Sequence, residues 1–176
     1  KEMFAASSAA GGLSMSVHGL VHDMTARAAQ MAALGAGAVV RQVTAGKMGE
    51  YELTALKKLN PNLILLAGGT DYGDRETVVH NARAVAGLKL GIPALYVGNT
   101  QAAGEATDIF GKAGQPLHVI ENVYPRLDEL NIEPARRAIQ DLFELHIVRA
   151  PGMAHIRKWS AGPSCPRPAR SWRLFV

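Results

Sequence analysis

The chain has 176 residues, 48% hydrophobic and 19% charged, with one cysteine and a formal net charge of +4. That length supports one well-buried domain, the composition is that of a soluble globular protein, and no run of about 18 apolar residues is present to span a membrane. Charge is unevenly spread: residues up to Glu144 carry −2 and the remainder carries +6, a basic tail rather than a basic stripe on a fold, which argues against nucleic acid as a partner.

Cys165 is the only cysteine, so no internal disulfide forms. With no charged-apolar-small leader at the start, the expected compartment is the cytoplasm. The chain opens on Lys1 rather than Met and reads as part of a longer protein.

Five strand–helix units are expected in order. A strand near Leu13–Val21 precedes a helix from about Thr25 to Leu34, with Asp23 as its N-cap and Gly35 or Gly37 as its stop. Val39, Val40 and Val43 mark a second strand, and a helix over about Glu50–Leu59 ends at Asn60-Pro61, because the residue before proline is pushed out of helical geometry. The continuous apolar run Leu63–Ala67 predicts a strand covered on both faces, followed by a helix near Arg75–Leu88. Pro93–Val97 and Leu117–Ile120 give the fourth and fifth strands, with a helix from about Gln101 to Lys112 between them.

The last helix is expected to begin at Pro134, a residue preformed for a first turn, with Ala138, Leu142 and Leu145 on one stripe and Ile139 and Phe143 beside it. Strands alternating with helices imply a doubly wound, mostly parallel five-stranded α/β sheet with flavodoxin-like order and Leu65, Val97 and Val119 in buried central strands. The α/β sandwich is expected over residues 1–150. A basic, proline-punctuated tail or arm follows over 151–176, with Trp159 as its natural anchor.

The chemistry is expected where strands end in loops. The turn Gly68-Gly69-Thr70-Asp71-Tyr72-Gly73-Asp74 allows close backbone approach to a ligand, and its N–H groups suit an anion such as phosphate. Asp74 is placed to cap the helix that follows. Beside this turn the topology brings His22 and Asp23, then Gly98-Asn99-Thr100, then Glu121-Asn122. The candidate ligand or phosphate residues are therefore Gly68, Gly69, Thr70, Asp71, Gly98, Asn99, Glu121 and Asn122, with Asp71 as the candidate Mg²⁺ ligand. Tight βα turns and helix caps use the same residue types, so spacing alone leaves the structural reading open.

Familiar fingerprints are absent. There is no Gly-x-x-x-x-Gly-Lys-Ser/Thr loop, no Gly-x-Gly-x-x-Gly after the first strand and no Gly-x-Ser-x-Gly elbow. The corrinoid signature Asp-x-His-x-x-Gly is not met at His18, where Ser16 stands in place of Asp.

Several short motifs nevertheless agree with one family in content and order. Ser7–Leu13, Leu34-Gly35-Ala36-Gly37-Ala38, Leu65–Asp71, His80-Asn81-Ala82, Gly98-Asn99, Glu121–Arg126 and Asn131–Arg136 resemble the accessory proteins of glutamate (methylaspartate) mutase. These are also called MutL-like and are distinct from the mismatch-repair protein of that name. The resemblance covers about residues 5–160 and weakens in the Arg-rich stretch after Pro163.

The resemblance implies a segment of an actin/hexokinase-like ATPase that reactivates a coenzyme B12-dependent mutase. ATP and Mg²⁺ would then belong to the full-length protein, none being assured for this chain. The mutase subunit and the remaining domains of the full-length protein would be its partners. The family's Asp-x-Gly-Ser-Thr phosphate turn is not in this chain, which therefore reads as a non-catalytic module. The residues themselves leave two alternatives open. One is a stand-alone α/β enzyme and the other a nucleotide- or corrinoid-binding module, both using the Gly68–Asp74 turn.

Overall fold

The computed structural model describes residues 6–7, 12–147 and 165–166. Five strands form one sheet: β1 (Ser14–Gly19), β2 (Val39–Ala45), β3 (Leu63–Leu66), β4 (Ala94–Tyr96) and β5 (Leu117–Val119). Their order is β2-β1-β3-β4-β5 and every pairing is parallel, the flavodoxin-like order. Separately, Ala6–Ser7 pairs in parallel with Cys165–Pro166. The expected boundary at residue 150, Trp159 and the basic tail other than Cys165–Pro166 lie outside the described residues.

Side-chain alternation along the central strands builds two cores. Leu63 and Leu65 point to one face, where α1 (Arg27–Gly35) and α5 (Ile132–Ile147) cover the sheet. Ile64 and Leu66 point to the other, under α2 (Glu50–Leu59), α3 (Glu76–Gly87) and α4 (Ala103–Ala113). All four side chains are buried, as a strand covered on both faces requires. The doubly wound reading of the sequence is therefore the architecture observed.

Where expectation and structure differ, the cause is local. Val119 lies in β5 at the sheet edge and is 45% exposed, so it is not a core residue. The last helix starts at Ile132, and Pro134 falls inside its first turn, where its missing N–H costs nothing. Its buried stripe is Ala135, Ile139 and Phe143, with Ala138 and Leu142 only flanking the core; the Leu145 side chain lies outside the described residues. Asp23 does not cap the first helix. The helix enters through a π turn, His22–Ala26, and the buried Thr25 hydroxyl accepts the N–H groups of Leu20 (2.9 Å) and Val21 (3.1 Å) instead.

The first helix also reverses the usual size pattern. Ala28, Ala29, Ala32 and Ala33 face the core, letting the backbone approach the sheet and α5 closely, while Met31 and Leu34 face outward at 42% and 54% exposure. Among the described residues no helix is long and apolar enough to cross a membrane.

Candidate functional site

The loops at the carboxyl ends of β3, β4 and β5 meet around one carboxylate. Asp71 Oδ1 accepts from the Thr100 N–H (3.0 Å), the Thr100 hydroxyl (3.2 Å) and Asn122 Nδ2 (3.0 Å). The Asn122 amide also donates to the Gly69 carbonyl (3.1 Å), and the Asp71 N–H donates to the Pro125 carbonyl (2.9 Å). Of the residues singled out from sequence, Gly69, Thr70, Asp71, Asn99 and Asn122 are thus gathered at one point. Glu121 is not: it is exposed and accepts from Asn131 Nδ2 (3.1 Å).

Asn99 closes the same assembly from the β4 side. Its amide nitrogen donates to the Gly73 carbonyl (3.1 Å), and its side-chain oxygen accepts the Gln101 N–H (3.0 Å), capping the short turn Thr100–Ala102. The Asn99 carbonyl accepts the buried Tyr96 hydroxyl at 2.7 Å. Burial pushes the Tyr96 phenol far above its ordinary value, and the Asp71 carboxylate adds to that, so it stays a protonated donor. Asp74 caps α3 as expected, accepting the Thr77 N–H at 3.1 Å.

Gly68 and Gly98 answer to packing. A Cβ on Gly68 would sit 2.4 Å from the Val78 Cβ, and one on Gly98 would sit 2.6 Å from the Gly68 nitrogen. They let α3 and the β4 loop close on the β3 turn. The N–H groups of Asp71, Gly73, Asn99, Thr100 and Gln101 all donate to protein oxygens. This arrangement is a latch turned inward on itself. It offers a phosphate none of those five donors, and among the described residues no group of three or more His, Cys, Asp or Glu is placed to hold a metal ion.

Tyr72 stands at the tip of the turn with φ 65° and 83% exposure. A left-handed backbone at a bulky residue is unfavourable by roughly 1–2 kcal/mol, and the bonds on either side hold it there. Residue type alone gave no sign of this conformation.

An open cleft lies beside the latch, on the face carrying α1. It measures about 390 Å³ and runs between the start of α1 and the segment that returns from β5 towards α5. Met24, Ala28 and Met31 form one wall, and Tyr124, Asp128 and Leu130 the other. Asp23 and Arg27 supply charge at its rim. Because β1 and β3 are neighbours whose crossovers diverge to opposite faces, the β1–α1 turn at this cleft belongs to the switch point of the sheet, the usual ligand crevice of open α/β folds.

Two histidines four residues apart on the β1 side have opposite settings. His18 lies inside the sheet, with Nδ1 2.7 Å from the Thr44 hydroxyl and Nε2 3.1 Å from the Ser16 hydroxyl. Burial drops its pKa from the ordinary 6.5 to about 4, so it is a neutral core residue. His22 stands at the strand's carboxyl end with a 72% exposed side chain, and its Nδ1 is 3.1 Å from Asp23 Oδ1. A carboxylate only accepts, so Nδ1 carries the proton.

Sequence reasoning placed His22 and Asp23 at the functional edge but missed the cleft. Its walls come from segments about a hundred residues apart, and the one local signal was the pair of large side chains on the outer face of an alanine-packed helix.

Comparison with known proteins adds a family. The family model described as "MutL protein" matches residues 1–175, so the likeness runs through the basic stretch beyond residue 160. A curated relative, "Protein MutL" of Clostridium tetanomorphum, is 45% identical over 165 residues, covering 94% of this chain and 36% of its own length. The chain thus spans about a third of the curated relative it matches.

Proposed function

The chain belongs to the MutL protein family, and from that premise we propose that it is a non-catalytic α/β module of an accessory protein serving a coenzyme B12-dependent glutamate mutase. The motifs from Ser7 to Arg136 that resemble the mutase accessory proteins support the service role. In this reading the full-length protein is an ATPase that reactivates the mutase. Its ATP and Mg²⁺ are handled with the remaining domains, and the mutase subunit is the partner.

The observation that carries the non-catalytic part is the bonding of Asp71. Phosphoryl transfer needs a cradle of free donors, a cation and Mg²⁺ positioned together. Here the carboxylate already serves three donors from two other loops, and the N–H groups of Asp71, Gly73, Asn99, Thr100 and Gln101 point to protein acceptors. The role left to the turn is to lock three loops of the sheet's carboxyl edge.

Phosphate release from Mg²⁺-ATP tests this directly. The chain alone is expected to stay at background. Mg²⁺-dependent hydrolysis that disappears in Asp71→Ala would show a complete site and overturn the reading. For the service role, the full-length protein should restore turnover to inactivated mutase with ATP present, and removal of this region should abolish the rescue.

A further inference from the structure

The cleft beside α1 is built in two layers. Of the side chains that line it, Ala28 and Tyr124 are buried, whereas Met31 and Leu130 are 42% and 53% exposed. The first pair therefore forms a floor, and the second, with Met24, the apolar walls.

The charges are divided between those walls. Arg27 stands on the α1 side and Asp128 on the segment that follows β5. Neither enters an ion pair among the described residues, whereas Asp23 is held by His22 at 3.1 Å. A cation and a carboxylate that line one cleft without meeting leave room for a ligand carrying both signs. Asp128 is set in place by its backbone, which takes φ 62° and donates its N–H to the Tyr124 hydroxyl at 3.0 Å. Because the phenol oxygen accepts there, its own proton remains available to an acceptor in the cleft.

These groups select a ligand by its chemistry. Methionine, leucine and alanine ask for an apolar body, the planar guanidinium for a carboxylate, and Asp128 for an amine. A volume of about 390 Å³ lies near the lower end of small-molecule sites, so the ligand is small. We propose that the cleft binds a zwitterionic α-amino acid with an apolar side chain. Its carboxylate meets Arg27, its ammonium meets Asp128, and its side chain lies over Ala28 beside Met24 and Met31. A dicarboxylic amino acid is disfavoured, because Asp23 and Asp128 already outnumber the one cation and its second negative group would meet an apolar wall. A methionine-lined groove also suits an amphipathic helix. A helix, however, spends its backbone groups internally, while a free amino acid carries both charges on the carbon that bears the buried side chain.

Methionine methyl groups labelled with ¹³C report on the site directly, since Met24 and Met31 line it and Met15 and Met48 lie in the two cores. Titrating L-leucine into the 176-residue chain should shift the Met24 and Met31 signals saturably, with a Kd on the order of 1 mM, and leave Met15 and Met48 in place. Leucinol, which lacks the carboxylate, and isocaproate, which lacks the amine, should each bind about 5-fold more weakly, as befits exposed ion pairs. Arg27→Gln should erase the difference between leucine and leucinol, and Asp128→Asn that between leucine and isocaproate. Both side chains are exposed, and asparagine tolerates the left-handed backbone at 128, so both variants should stay folded.

No saturation by about 50 mM L-leucine would overturn the proposal. Equal binding of leucine, leucinol and isocaproate would do the same, as would discrimination that survives both variants or L-glutamate binding as tightly as leucine. An amphipathic leucine-, lysine- and glutamate-built helical peptide that moves both methyl signals where L-leucine does not would overturn it in favour of a protein partner. These readouts need no mutase and are independent of the accessory role.

Discussion

The two structures at the carboxyl edge of the sheet differ in where their polar groups point. In the latch, Asp71, Asn99 and Asn122 direct their side chains at protein atoms, and five neighbouring N–H groups do the same. At the cleft, Asp23 and His22 are 86% and 72% exposed and pair only with each other, above a wall of methionine and leucine. Residue types that look alike in sequence, carboxylate, amide and glycine at the ends of strands, thus serve opposite ends. Polar groups that satisfy one another hold a fold in register. A polar pair left outward beside exposed apolar surface is where a ligand has something to gain.

The largest test removes what both regions hang from. Leu65 lies fully buried in β3, between the latch and the face bearing the cleft. Leu65→Ala should destabilise the chain by about 2–5 kcal/mol in urea unfolding. A loss below about 1 kcal/mol would mean that β3 is not core.

Next is the contrast between the two histidines. His18 has a folded pKa near 4 against an ordinary 6.5, so the unfolded chain binds the proton more readily. The contribution is complete above pH 6.5 and is lost as pH falls towards 4, amounting to roughly 3 kcal/mol. Unfolding free energy measured across that window should decline with acid, and His18→Gln should flatten the decline.

Breaking the latch itself comes third. Asn122→Ala removes the amide that ties Asp71 and Gly69 to the β5 loop and should cost about 1–3 kcal/mol, because the Gly69 carbonyl loses that donor and Asp71 keeps only its bonds from Thr100. The smallest effect is expected at the cleft: Met31→Ala and Leu130→Ala should each change stability by no more than about 0.5 kcal/mol, because both side chains are more than 40% exposed. A large loss there would make the cleft wall part of the core.

Much of the fold was legible because the signals were local. The unbroken run Leu63–Leu66 announces a strand buried on both faces, and Asn60-Pro61 marks the stop of α2, where Asn60 takes φ 46°. The meeting of the β3, β4 and β5 loops followed from topology. Other features depended on partners distant in sequence. Val119 has a core residue's composition, but β5 is an edge strand, and strand order is not written in spacing. The buried stripe of α5 was misplaced by one position, because Ala135 and Ile139 meet α1 through its alanines, and small residues carry a weak periodic signal. Whether Asp71 faces a ligand or Asn122 turns on a loop 51 residues away.

A crossed comparison of Asn122→Ala and His22→Ala in the full-length protein tests the division of labour most directly. Unfolding free energy and rescue of inactivated mutase are both read on each variant. The account predicts that Asn122→Ala loses stability and, at a temperature where it stays folded, keeps rescue. His22→Ala, whose side chain is 72% exposed, should keep stability. The reverse pattern, stability kept with Asn122→Ala and lost with His22→Ala, or rescue lost with Asn122→Ala in a fully folded protein, would contradict it.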